Sequence, residues 1–164
     1  MSMKKYHIFW ILIDSARNYE SNEDDRGLPS SVSEFSKESI FFKNTVTSAP
    51  STIQSISSMM TSVPSFYLSR SYNNYIGISD SFDYFPHILK NNGYNLYGAI
   101  YFKHGREIMT DLFGTLNKRL YPKGLSHRKE VWNNLDIYNV FRKIIDSNDW
   151  NVPTMSYLHY NVRV

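Results

Sequence analysis

Cysteine is absent from the chain, which excludes disulfides and thiolate metal sites. Long apolar runs are missing as well. No stretch approaches the ~20 apolar residues that a membrane-spanning helix needs. Nor is there a block of one charge sign. Lysine and arginine number 18 against 15 acidic residues, a formal charge of +3, and the two signs are mixed along the sequence. That pattern excludes a basic nucleic-acid groove, so no nucleic-acid partner is expected. Mild basicity suits an anionic ester, and ordinary solubility explains it equally well.

Lys4-Lys5 ahead of an apolar run imitates the start of a signal peptide. The run from Ile8 to Ile13 is short, however, and ends on an acid with no small-residue cleavage site. A buried strand is the better reading, and the expected location is the cytoplasm. What the chain does have is core material. Its 164 residues are 41% hydrophobic and 16% aromatic, which excludes a disordered chain. A single domain over 1–164 is expected, burying roughly 70% of its unfolded surface.

The pattern alternates strand and helix. Residues 7–13 read as a fully buried strand, and the polar stretch 18–28 as loop. Pro29-Ser30-Ser31 opens a helix, with Glu34 placed as in a capping box and Val32, Phe35 and Ser39/Ile40 marking its inner face. Ile40 to Val46 reads as extended. A helix is expected from about Ile53 to Thr61, stopped by Pro64, then a long surface loop over 65–81. A helix near 82–91 stops at Asn92-Gly93, and Tyr94 to Phe102 forms a second buried strand. Val131, Leu135, Tyr138, Phe141/Arg142 and Ile145 mark an amphipathic helix, and Pro153 to Tyr160 a third strand. The fold class is therefore α/β, a mostly parallel sheet flanked by helices.

Two positions carry chemistry. Asp14 directly follows the first strand, where open α/β sheets place their ligand sites; a turn or helix-cap aspartate is the plainer reading. Thr52 leads into a helix, where a simple N-cap is the plainer reading. At a helix N-terminus, N–H groups and the dipole also favour a bound anion and a developing alkoxide. A metal held by Asp14 would turn that hydroxyl into a useful nucleophile. Ser51 and Ser55 compete with Thr52 on spacing. Arg17 is a candidate for orienting an ester oxygen, against the plainer reading of a surface ion pair. Lys103-His104 follows the second strand and also reads as plain loop. His159 lies in a strand rich in apolar and aromatic residues and is a candidate to face a site. Packing suffices for His87, and the thirteen scattered tyrosines read as amphipathic packing.

The segment from Leu28 to Asn44, Leu-Pro-Ser-Ser-Val-Ser-Glu-Phe-Ser-Lys-Glu-Ser-Ile-Phe-Phe-Lys-Asn, resembles the one that joins two motifs in sulfatase-like proteins of the alkaline phosphatase superfamily. There it connects a metal-binding Asp after the first strand to a nucleophile segment ending in a Leu-Leu-Thr-Gly-like helix. Met59-Met60-Thr61-Ser62 resembles that ending and puts Thr52 at the nucleophile's place. Gly93-Tyr94 and Tyr157-Leu158-His159-Tyr160-Asn161 resemble later family segments, so the likeness spans essentially the whole chain.

The resemblance implies hydrolysis or transfer of a phosphate, or less readily sulfate, ester. It assigns the metal to Asp14 and Thr52 and catalysis to Thr52, while Arg17, Lys103 and His159 stay candidates for substrate contact on their own chemistry and position. The cofactor implied is a divalent ion, Zn, Mn or Ca. True sulfatases carry a Cys or Ser converted to formylglycine, with Pro and Arg after it; Gln54 and Ile56 stand at those places here. That conversion is not expected, and a Thr nucleophile is similar to the superfamily's phosphoesterases and phosphotransferases. Asp14-Ser15 replaces the family's frequent Asp-Asp, which implies a single metal. The family's remaining ligands lie beyond a segment like this one, so the chain reads as the N-terminal part of the fold. A partner chain or a C-terminal segment is expected to complete the site. The alternatives are a catalytically incomplete domain serving as a binding or remnant module, and an unrelated phosphoacceptor or nucleotide-binding module using Asp14. Against the last, no glycine-rich phosphate loop follows the first strand.

Overall fold

The computed structural model describes residues 4–16, 30–40, 42, 44–68, 83–100, 118–119 and 134–161. Strand β1 is Ile8–Asp14, β2 Asn95–Ile100, β3 Lys118–Arg119 and β4 Thr154–Asn161. They form one parallel sheet in the order β1-β4-β2-β3. Parallel strands need crossovers, and the helices supply them. Helices α1 (Ser30–Lys37), α2 (Thr52–Thr61) and α3 (Phe85–Asn91) lie between β1 and β2, and α4 (Asn134–Ser147) precedes β4. Among the described residues no helix is long and apolar enough to cross a membrane.

The last strand in sequence is the central one in space. In β4, Thr154 to His159 are all buried, because β1 and β2 flank the strand and helices cover both its faces. On one face Met155, Tyr157 and Leu96 meet Ile56 and Met60 of α2, with Trp10, Leu12, Phe85 and Leu89 packed around them. On the other, Leu158 and Ala99 meet Ile137, Val140 and Ile144 of α4. Full burial of an aliphatic side chain of this size contributes about 1.5–3 kcal/mol, so these two clusters dominate the stability.

Local signals explain the helix ends. The Ser51 side chain accepts from Gln54 N at 3.4 Å and starts α2, while Ser62 ends it in the left-handed conformation (φ 58°). α3 carries Pro86 in its first turn and stops where Gly93 adopts φ +82°, as the Asn92-Gly93 pair foretold.

Four expectations are corrected. The first strand is not fully buried. Among the described residues β1 is an edge strand, in which Ile8, Trp10, Leu12 and Asp14 are half-buried while Phe9, Ile11 and Ile13 are 42%, 52% and 45% exposed. Its continuous apolar run reflects two kinds of face, one packed on α2 and α3 and one partly exposed, where Phe9 meets the rings of Phe141 and Trp150. α1 forms, but its supposed inner face is bare: Val32, Phe35 and the following Ile40 are exposed. Periodicity shows that a helix has an apolar stripe, not that anything covers it. In α4 the buried stripe is Ile137, Val140 and Ile144; of the expected stripe Leu135, Tyr138 and Arg142 are exposed, Phe141 and Ile145 are half-buried at the margin of the packed face, and Val131 lies outside the described residues. Both stripes satisfy helical spacing, and the aliphatic β-branched one packs on the sheet. Ile40 to Val46 holds no strand among its described residues, with Phe42 and Val46 exposed. The expected 65–81 loop and the end of the second strand, at Tyr101 and Phe102, fall mostly or wholly outside the described residues.

Candidate functional site

β1 ends on Asp14, and Ser15 then takes a left-handed backbone (φ 63°). A serine in that region costs about 1 kcal/mol or more, so the turn is held by its surroundings. It ends the strand abruptly and leaves the Asp14 carboxylate at the carboxyl edge of the sheet. The chain re-enters the same region through Thr47, whose Oγ1 donates to Ala49 O at 2.9 Å; Ala49 itself is buried. Pro50 and the cap Ser51 follow, making Thr52 the first residue of α2.

The structure thus brings Asp14 and Thr52 together. Thr52 Oγ1 donates to Asp14 Oδ2 at 3.4 Å, a long, weak bond. The competing hydroxyls are used otherwise: Ser51 caps the helix, and Ser55 Oγ lies 3.2 Å from Thr47 Oγ1. These residues open into a cleft of about 300 Å³, walled by Asp14, Ser15, Thr47, Ser51, Thr52 and Ser55, with Leu12, Ile56 and Met59 as apolar floor. The first N–H groups of α2 have no carbonyl within the helix to bond, so the cleft wall favours negative charge.

His159 stands behind Asp14 and is not part of the cleft wall. It is fully buried, its Nε2 3.9 Å from Asp14 Oδ2 and its Nδ1 3.1 Å from the Tyr157 hydroxyl. Burial pushes its pKa down to about 4, opposed by the Asp14 charge, so the imidazole is neutral at pH 7. Tyr157 is also fully buried, and its ring meets Trp10 edge-on with centroids 5.8 Å apart. Tyr157 was not among the sequence candidates. Its place two residues before His159 on a strand, hence on the same face, is the signal that could have found it. His87 pairs with Tyr84, whose OH lies 2.6 Å from its Nε2, on α3 at a distance from these residues in sequence. Arg17 and Lys103 lie outside the described residues.

A divalent ion can be tested against this donor set. Asp14 Oδ2 and Thr52 Oγ1 are separated by 3.4 Å, as two oxygens sharing an ion at about 2.0–2.2 Å are. The residues fit as part of a coordination shell. Among the described residues no three His, Cys, Asp or Glu side chains gather, so this donor pair relies on the Thr52 hydroxyl.

The parallel α/β sheet thus sets an acid and a hydroxyl of a helix's first turn at its carboxyl edge, where such folds place their ligand sites. The family model described as Sulfatase matches residues 6–161, nearly the whole chain, and the protein belongs to the sulfatase family of the alkaline phosphatase superfamily. Members of that family generally use a divalent metal. Comparisons with curated proteins and with solved structures return no match.

Proposed function

We propose that the chain provides the nucleophile half of a metal-dependent hydrolase or transferase acting on a phosphate ester, with Thr52 as nucleophile. The observation that carries this is the 3.4 Å approach of Thr52 Oγ1 to Asp14 Oδ2 at the first turn of α2. Asp14 Oδ2 and Thr52 Oγ1 would hold the ion, one of Zn, Mn or Ca. When bound, such an ion lowers the hydroxyl's pKa and offsets charge on the phosphoryl oxygens.

Thr52 Oγ1 attacks phosphorus and the ester P–O bond breaks. The leaving oxygen departs to be protonated by solvent, and the threonine proton has Asp14 Oδ2 as its neighbouring acceptor. The phosphoryl group then sits on Thr52 as a phospho-threonine. N–H groups at the start of α2 stabilise its oxygens. Water or an acceptor alcohol attacks the phosphorus in a second displacement and frees the threonine, which gives hydrolysis or transfer respectively. Phosphate is favoured over sulfate because Thr52 is not a residue that formylglycine conversion accepts. Further donors from a partner chain or an additional segment complete the shell.

In the complete protein, Thr52→Ala should lower turnover of an aryl phosphate by at least about a thousandfold while the circular dichroism spectrum stays unchanged. Undiminished turnover would sink the assignment. A binding or remnant domain, the rival reading, predicts no turnover in the parent protein and no ion binding by calorimetry.

A further inference from the structure

β4 runs beside β1 with His159 opposite Leu12 and Asn161 opposite Asp14. Alternate residues of a strand share a face, so Leu12, Asp14, Tyr157 and His159 all rise from the face that α2 covers. The sheet therefore delivers an imidazole to the acid–hydroxyl pair from a strand far along the chain. His159 Nε2 stands 3.9 Å from Asp14 Oδ2, the same oxygen that Thr52 Oγ1 approaches to 3.4 Å.

A separation of 3.9 Å is too long for a hydrogen bond. Tetrahedral donors at about 2.0–2.2 Å from one ion stand about 3.3–3.6 Å apart, so a shared ion would draw this pair together by a few tenths of an ångström. The far side of the ring supports the same reading. The tautomer in which Nδ1–H donates to the Tyr157 oxygen across 3.1 Å would put the ring's lone pair on Nε2, on the side of the carboxylate. An outer nitrogen engaged by a hydrogen bond, with the inner one left for the ion, is how metal-binding histidines are oriented. Because His159 and Tyr157 are both fully buried, neither ring can turn out to water. In that setting a divalent cation converts the repulsion between lone pair and carboxylate into shared attraction.

We propose that His159 Nε2 is a third donor, with Asp14 Oδ2 and Thr52 Oγ1, of a divalent-cation site where β1 and β4 end, and that the imidazole makes this site select zinc over calcium. The proposal rests on the metal-dependent reading above. A nitrogen ligand favours Zn²⁺ over Ca²⁺, which takes oxygen donors almost exclusively.

The test is calorimetric titration of the metal-free full chain with ZnCl₂ and with CaCl₂, alongside ¹H–¹⁵N spectra of its histidine side chains. Zn²⁺ should bind more tightly than Ca²⁺ and move the His159 Nε2 resonance much more than Nδ1. His159→Leu should weaken Zn²⁺ binding at least about a hundredfold, and Tyr157→Phe about tenfold, the range seen when outer partners of a ligand are removed. If His159→Leu does not fold, the Nε2 resonance of the parent chain decides alone. Zn²⁺ binding with an unmoved Nε2 resonance overturns this donor assignment and leaves the metal-dependent reading standing. Failure of the parent chain to bind Zn²⁺, Mn²⁺ or Ca²⁺ overturns both.

Discussion

His159 makes the fold acid-sensitive. Its imidazole titrates at about 4 in the folded, metal-free chain against 6.5 in an unfolded one, because burial disfavours the charged form. Between those values the unfolded state binds the extra proton. Stability is therefore complete above pH 6.5, declines as the pH falls towards 4, and levels off below that. The full shift corresponds to roughly 3 kcal/mol. Urea unfolding of the metal-free chain across this interval should show the decline, and His159→Leu should flatten it. Equal pH slopes in the two proteins contradict the assignment. Asp14 and Thr52 were legible in the sequence because each sits at the end of an element that local pattern reveals, a strand's last residue and a helix's first. The approach of His159 to Asp14 was not legible as such. It depends on β4 inserting beside β1, a pairing that no local spacing encodes.

Helix α4 shows the limit of periodicity at the scale of the element. The sequence places a helix there, and the described helix covers Asn134–Ser147. Two apolar stripes compete on its surface, one through Leu135 and Tyr138, the other through Ile137, Val140 and Ile144. Shape decides between them. The second meets Ala99 and Leu158 on the sheet, and its members are buried to 1% exposure or less. Ile144→Ala should accordingly destabilise the chain by about 2–5 kcal/mol, while Leu135→Ala, at a position 63% exposed, should change stability by about 0.5 kcal/mol or less. Thermal denaturation of both variants checks this, and similar losses would contradict the orientation of α4. β1 carries a related lesson. A continuous apolar run matches a central strand, yet among the described strands β1 is at the edge and the less uniformly apolar Thr-Met-Ser-Tyr-Leu-His of β4 is central. Burial on both faces follows from neighbours, not from hydrophobicity alone.

At the scale of the whole molecule, the first and last of the described strands are neighbours. β1 and β4 run parallel side by side, with Asn134 at the start of α4 bonded to both the N–H and the C=O of Asn161. The cleft sits where these strands stop, against the start of α2. The α/β class, the parallel sheet and the family were readable from alternating elements and from the segment between Asp14 and Thr52. Strand order was not, because parallel pairing joins segments that share no local signal. The candidate site is therefore a product of topology acting on two locally encoded residues, of which Thr52 is the proposed nucleophile. The most direct measurement is an acid-quenched reaction of the complete, zinc-loaded protein with an aryl phosphate, followed by peptide mass analysis. The account predicts one added phosphoryl group on Thr52, absent from Thr52→Ala. A phosphoryl group on Ser51, Ser55 or Asp14, or turnover with none trapped on Thr52 at any quench time, would contradict it.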